Sequence, residues 1–347
     1  MRHQSVSKSL SPDSKSKRIL LVATCLALII TCAAQMAIGQ QEPVTRVGSD
    51  YLTIPQLRAK YADPAGKIAT IQGVEIYYKD EGKGPVLLMV HGSQGSLRTW
   101  DVIVKRLKSR YRIIRYDVPG MGLSGHISDA AAANVVPTDI AIGLLDKLGV
   151  KKLSFVGVSS GGTLGMFLAA RRPELIERLI LSNTPSDRVT YDHMVQPDSF
   201  TRAQEEARRA GGFQSRQFWD EFLNYFSGVP ARFTPKLRDE YYDFNRRTPE
   251  KHPIALIAQI GDGVEASKLM AQVTVPTLLI WGSKDALLPV SAMKSLEAHL
   301  KLAPVSTLIL PDVGHYPPVE VPARFATLIS SYLEAVVPEP ASQAATR

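Results

Sequence analysis

Leu153-Ser154-Phe155-Val156-Gly157-Val158-Ser159-Ser160-Gly161-Gly162-Thr163-Leu164-Gly165-Met166-Phe167 opens as an apolar run and closes as a helix of small residues. The join between them, Gly157-Val158-Ser159-Ser160-Gly161, fits the pattern G-x-S-x-G. A strand that becomes a helix within one or two residues forces the residue at the tip into strained backbone angles. Small residues two before and two after it avoid a collision between strand and helix. The pattern therefore predicts a strand over Leu153–Val158, a tight turn at Ser159 and a helix beyond it. The Ser159 side chain would stand clear of the sheet above a helix N-terminus, where free N–H groups and the helix dipole favour an anion. Alone, the pattern is equally compatible with a Gly/Ser turn that merely joins two elements. The rest of the chain decides between them.

Upstream, Lys67–Gln72 and Val74–Lys79 read as a hairpin about Gln72-Gly73. Pro85–Val90 is a continuous apolar run, the mark of a strand buried on both faces, and it ends in His91-Gly92-Ser93. A helix over Thr99–Ser109 and a strand over Tyr111–Tyr116 follow, then the Gly-rich Asp117-Val118-Pro119-Gly120-Met121-Gly122-Leu123-Ser124-Gly125. Ile140, Leu144, Leu145 and Leu148 share one face of a helix over Thr138–Leu148. The helix after Ser159 is stopped by Pro173, and Leu179–Leu181 is a further buried strand. From Pro185 to about Met270 the texture changes to short helical segments rich in aromatics and arginine, which read as an insertion packed by its aromatic residues. Strands resume at Thr277–Trp281 and Thr307–Leu310, with helices over Ser291–Leu300 and Pro322–Leu333. Alternation of strand and helix on both sides of the insertion predicts an α/β fold with a mostly parallel sheet.

In such a sheet, functional groups collect on loops at the carboxyl ends of the strands. Ser159 follows one strand, Asp285 lies four residues after Trp281, and His315 follows the last strand. A serine hydroxyl is a weak nucleophile near neutral pH and needs an imidazole to take its proton. A carboxylate then fixes the imidazole tautomer. Negative charge developing on a carbonyl oxygen needs two backbone N–H groups, for which Ser160 and Ser93 are the candidates. Five other histidines lie outside the first 39 residues. His91 reads as a brace for the loop after its strand, and His126 follows the Gly-rich loop. His193 and His252 fall in the insertion, and His299 on a helix surface. Only His315 combines the chain order Ser…Asp…His with a loop directly after a strand. Asp312 is too close to His315 in the chain and shapes its loop, whereas Asp117 fixes the Gly-rich turn through hydrogen bonds to backbone.

Together, Gly157–Gly161, His91-Gly92, Asp117-x-x-Gly120-x-Gly122-x-Ser124, Trp281-Gly282-x-x-Asp285 and Gly314-His315 resemble the α/β-hydrolase superfamily over about Lys67–Leu333. The capped, lipase- and esterase-like branch is the nearest in pattern. It also holds epoxide hydrolases, dehalogenases, C–C bond hydrolases and cofactor-free haloperoxidases. The resemblance implies an eight-stranded sheet with a helical cap inserted after the sixth strand. It also implies Ser159, His315 and Asp285 as catalytic residues, with no metal or organic cofactor. Family dehalogenases and epoxide hydrolases carry Asp at the elbow, whereas this chain carries Ser159. His91-Gly92-Ser93 in place of His-Gly-Gly-Gly speaks against the hormone-sensitive-lipase-like branch. Ser160 stands where Met is commoner, a tolerable change at a position that acts through its backbone.

The first 39 residues have the layout of a signal peptide: a basic stretch to Arg18, an apolar run Ile19–Ala34, then small residues to Gly39. Retention as an N-terminal membrane anchor through residues 19–39 is the alternative, and either fate exports the remainder. The net charge is +8; residues 1–39 hold five basic residues and one acidic one, so the rest of the chain carries only half of the excess. That mild excess, without basic clusters interleaved with aromatics, does not suggest nucleic-acid binding. Both cysteines, Cys25 and Cys32, fall in the leader, so the remainder has no disulfide and no thiol nucleophile. The expected organisation is a leader over 1–39, core over 40–184, cap over 185–270, core over 271–337 and a flexible tail over 338–347. The expected activity is hydrolysis of a small to medium apolar ester or lactone through an acyl-enzyme. Amide, C–C bond or peracid chemistry, or ligand binding without catalysis, are the alternatives on the same fold. Nothing in the sequence specifies an oligomeric state.

Overall fold

The computed structural model describes residues 50–250, 252 and 268–335. The leader over 1–39 and the tail over 338–347 lie outside the described residues, as do 251 and 253–267 of the insertion. Eight strands form one sheet: β1 (Gly66–Ile71), β2 (Val74–Glu81), β3 (Val86–Val90), β4 (Arg112–Tyr116), β5 (Leu153–Val158), β6 (Ile176–Ser182), β7 (Thr277–Gly282) and β8 (Val305–Leu310), in the order β1-β2-β4-β3-β5-β6-β7-β8. The β1–β2 and β2–β4 pairs are antiparallel and the other five are parallel. This is the mostly parallel sheet that the alternating pattern predicts. Every residue of β5 and β7 is buried, which is why those strands are mostly apolar instead of alternating, with Ser154 and Thr277 the polar members.

Successive side chains of β5 enter opposite layers. Phe155 packs in the layer of Leu144, Leu164 and Leu296. These come from α3 (Pro137–Lys147), α4 (Ser160–Arg171) and α8 (Val290–His299). Val156 packs in the opposite layer with Ile103, Val104, Phe325 and Ile329, contributed by α2 (Asp101–Leu107) and α9 (Pro322–Glu334). A 3₁₀ turn over Leu97–Trp100 precedes α2, so the helix starts at Asp101 and not at the expected Thr99.

Glycine permits the tight join of β5 to α4. A Cβ on Gly157 would lie 2.6 Å from the Gly161 carbonyl oxygen, and one on Gly161 would collide with the Val90 carbonyl of the neighbouring strand. With those side chains absent, the helix N-terminus settles directly on β5 and β3. Ser159, between them, adopts φ 52° and ψ −129°.

Between β6 and β7 lie α5 (Asp198–Arg209), α6 (Arg216–Phe226) and α7 (Pro235–Asn245). They share an aromatic core around Phe200, Phe218, Trp219, Phe222 and Phe226. The chain enters the described region through α1 (Ile54–Tyr61), whose N-cap Thr53 forms a capping box with Gln56. Helix α1 packs onto the end of α7. Lys60 and Tyr61 both donate to the buried Asp243 carboxylate, Tyr61 at 2.6 Å. Burial alone would raise the Asp243 pKa, but hydrogen bonds from Lys60, Tyr61 and Arg246 hold it below the usual carboxylate range. Just beyond α7, the buried Arg247 guanidinium donates to the Ser124 carbonyl at 2.8 Å and to those of Met121, Gly122 and Gly125 at 3.3 Å. No helix among the described residues is long and apolar enough to cross a membrane.

The loops after β3 and β4 brace each other. His91 accepts a hydrogen bond from the Val118 N–H at Nε2 (3.0 Å), so its Nδ1 carries the proton and donates to the Gly92 carbonyl (2.8 Å). Asp117 accepts from the N–H groups of Leu97 (2.6 Å) and Leu123 (2.7 Å). Both side chains are buried. Burial pushes the His91 imidazole down to about 4. It also pushes the Asp117 carboxyl up to about 6, with the two N–H bonds, Arg247 and Arg115 pulling the other way.

Two predictions follow from this packing. Gly157→Ala must move the α4 N-terminus and should lose about 3 kcal/mol in a denaturant melt; an unchanged midpoint would mean that the elbow tolerates a side chain. The second concerns acid stability. Between the ordinary His91 value of 6.5 and about 4, the unfolded chain binds a proton that the folded state refuses, so acidification destabilises. Between about 6 and 3.8 the folded Asp117 holds a proton that the unfolded chain releases, so acidification stabilises. Asp117→Asn removes only the second effect, and its melting temperature should fall more steeply from pH 6.5 to pH 4 than that of the parent. Parallel slopes would refute the assignment.

Candidate active site

The strands β5, β6, β7 and β8 are adjacent and parallel, with Val158 beside Ser182 and Gly282 beside Leu310. Their carboxyl ends therefore meet at one edge, which carries Ser159, Asn183, Asp285 and His315 on successive loops. Ser159 is half-buried at the elbow. Ser160 is the first helical residue of α4, so the helix itself offers its N–H no partner. Opposite runs the loop after β3. A Cβ on Gly92 would stand 2.8 Å from the Ser159 Cβ and 3.5 Å from its Oγ, so only glycine allows the loop to pass this close. The next residue, Ser93, brings its Oγ to 3.0 Å from the Ser160 Oγ. Thus Ser93 and Ser160, the two residues expected to supply N–H groups, meet beside Ser159. Gln94 continues the loop at φ 62°, and its carbonyl accepts from Asn245 of α7 at 3.0 Å.

Asp285 and His315 are both buried and lie 2.8 Å apart between Oδ2 and Nδ1. The other contacts of Asp285 explain its orientation. Oδ1 accepts from the N–H groups of Leu287 (2.8 Å) and Leu288 (2.9 Å), and Oδ2 also accepts from Asn183 Nδ2 at 2.6 Å. A carboxylate with its acceptor sites filled in this way is fixed in orientation and accepts from His315 Nδ1, which leaves Nε2 as the free ring nitrogen. The His315 loop is fastened by Glu320. Its carboxylate accepts from Gly314 N (2.8 Å) and Gly228 N (2.9 Å), and His315 N donates to the Phe226 carbonyl (2.8 Å). Burial raises the Glu320 pKa, while the Gly314, Gly228 and Val229 N–H groups and Arg232 oppose the rise.

The remaining histidines lie elsewhere. His126 is exposed and faces Glu250 at 2.9 Å, His252 faces Asp129, His299 faces Asp187 at 2.8 Å, and the exposed His193 contacts the Ala286 carbonyl at 3.2 Å. Asp312 is exposed on the turn before His315. Among the described residues, no group of three or more His, Cys, Asp or Glu is disposed to hold a metal ion.

A shallow depression, partly open to solvent, lies along the Gly92–Thr99 loop. Phe233, Leu237, Tyr241 and Phe244 of the insertion form one wall, and Tyr316 and Val319 another. At its edge Arg98 pairs with Glu240, Nε to Oε1 at 2.7 Å and Nη2 to Oε2 at 2.8 Å. Asn183, Glu320 and Tyr316 have no role in the reading of the sequence. Asn183 directly follows a strand, as Ser159 does, and that position was its only available signal.

A family model described as the alpha/beta hydrolase fold matches residues 85–322. The 2-hydroxymuconate semialdehyde hydrolase of a Pseudomonas species is 25% identical over 274 residues, covering 77% of this chain and 93% of that one. The pimeloyl-[acyl-carrier protein] methyl ester esterase of Nitrosomonas europaea is 29% identical over 259 residues, covering 73% and 97%. The solved enol-lactonase of Burkholderia xenovorans superimposes with a TM-score of 0.62 at 22% identity, covering 78% and 100%, and that likeness is one of fold. The family match spans more than two thirds of the chain and includes every strand from β3 to β8, so this protein belongs to the α/β-hydrolase family.

Proposed function

We propose that this protein is an exported serine hydrolase that cleaves a carboxylic ester or lactone. The observation that carries the reading is the buried Asp285–His315 hydrogen bond, at 2.8 Å, on loops beside the strand end that presents Ser159. In this mechanism His315 Nε2 takes the Ser159 proton as Oγ adds to the carbonyl carbon. Asp285 holds the tautomer and stabilises the imidazolium. The N–H groups of Ser93 and Ser160 receive the developing oxyanion. The tetrahedral intermediate expels the alcohol, which takes the proton from His315, and an acyl-Ser159 ester remains. Water then loses a proton to His315, adds to the acyl carbon, and releases the acid with Ser159 restored. The mostly apolar walls suit a small to medium uncharged substrate. Export rests on the sequence of residues 1–39.

C–C bond hydrolysis is the second reading, favoured by the similarity to the 2-hydroxymuconate semialdehyde hydrolase. A panel of esters, lactones, amides and vinylogous diketones separates the two by kcat/KM.

Ser159→Ala should lower turnover of nitrophenyl esters by about 10⁵-fold or more and abolish labelling by a fluorophosphonate, without altering the melt. Retained turnover would remove Ser159 from the mechanism. Asn183→Ala should lower kcat about ten- to hundredfold with little change in KM, because it loosens the carboxylate that orients His315. An effect confined to KM would contradict that role.

A further inference from the structure

We infer that Tyr241 and Tyr316 form a subsite that hydrogen-bonds a neutral oxygen, such as an ether, ketone or hydroxyl, on the non-reacting chain of the substrate. The inference rests on the reading of Ser159 as a hydrolytic nucleophile. Tyr241 comes from α7 and Tyr316 directly follows His315, yet their hydroxyls meet at 3.3 Å in the wall of the depression that Ser93 and Val158, the residue before Ser159, also line. Both rings are fixed. Tyr316 stands edge-on to the His315 ring at 5.0 Å, and Tyr241 packs on Trp219 at 5.6 Å.

Proton counting defines what the pair can bind. Two phenols bring two protons, and their mutual hydrogen bond uses one. The two hydroxyls make no other hydrogen bond among the described residues, so one proton and several lone pairs remain for a ligand. Phe233, Leu237 and Val319 are the apolar members of the same lining. Burial raises both phenols above their ordinary value, so they act as neutral donors and acceptors. The cation in the same wall, Arg98, is already occupied on two nitrogens by Glu240, which disfavours a ligand carboxylate. A hydrocarbon chain would leave the spare hydroxyl proton without a partner in a desolvated pocket, and that asymmetry produces discrimination.

The test compares nitrophenyl esters of straight-chain acids, matched in length, with an ether oxygen replacing one methylene at successive positions. A parallel series places the oxygen in the alcohol of alkyl esters. At the matching position in one series, the ether should be hydrolysed with kcat/KM about three- to tenfold above that of its all-carbon partner. The double variant, Tyr241→Phe with Tyr316→Phe, should bring that ratio close to one, because either single variant still leaves one phenol proton without a partner. The ratio is internal to each variant, so a general loss of activity does not imitate the result, and circular dichroism with fluorophosphonate labelling reports folding. A ratio near one at every position in the parent overturns the inference, as does a preference that survives in the double variant. Absence of turnover of every ester, together with absence of labelling at Ser159, would overturn the hydrolase reading and this inference with it.

Discussion

The site depends on a steric constraint, the approach of the α4 N-terminus to β5 and β3. Gly157 and Gly161 let the helix backbone rest against the sheet backbone, and no residue with a Cβ fits at either position. Ser159, caught between them, is held at φ 52°, a region that costs a non-glycine residue about 1–3 kcal/mol. The surrounding structure over-determines it. The β5 strand is buried along its whole length between two paired neighbours, and Ser159 N donates to the Ser182 carbonyl at 2.9 Å. What the strain secures is placement. The hydroxyl, the N–H of the first helical residue and the loop at Gly92 occupy one small volume.

The insertion holds that placement from above as well as covering it. Asn245 bonds the Gln94 carbonyl, Arg247 gathers four carbonyls of the Gly-rich loop, and the carbonyl of Phe226 at the end of α6 receives the His315 N–H. Each loop that carries a candidate catalytic group is thus hydrogen-bonded to a cap element or stands beside one that is. The α1 segment extends the arrangement by bringing Lys60 and Tyr61 onto Asp243, two residues before Asn245 and four before Arg247. A charge buried as deeply as Asp243 is tolerated because its hydrogen-bonding capacity is met locally, and removal of one partner would leave the other uncompensated; Arg247 is met at its two terminal nitrogens. The insertion therefore meets the site loops through polar contacts at loop backbones and through its aromatic core, against which Leu287, Tyr316 and Val319 pack.

The strands were legible in the residues because a strand buried on both faces is apolar along most of its length, as β3, β5 and β7 are. The elbow was legible because its steric requirement selects small residues at fixed spacing. The order Ser159, Asp285, His315 was legible because the loops after parallel strands share one edge of the sheet. Element ends were less so. The turn over Leu97–Trp100 winds as 3₁₀ before α2, and β6 starts at Ile176 rather than Leu179, since pairing to neighbouring strands extends a ladder past its apolar centre.

Sequence by itself determined the fold class, the elbow and the chemical character of the three candidate groups, because these depend on local patterns of size, polarity and spacing. Tertiary structure alone decided which groups stand behind them. Asn183 reaches Asp285 across 102 positions, Asn245 reaches Gln94 across 151, and Tyr241 reaches Tyr316 across 75. Such contacts have no local periodicity, since the folded sheet and cap, and not the neighbouring residues, bring the partners within hydrogen-bonding distance.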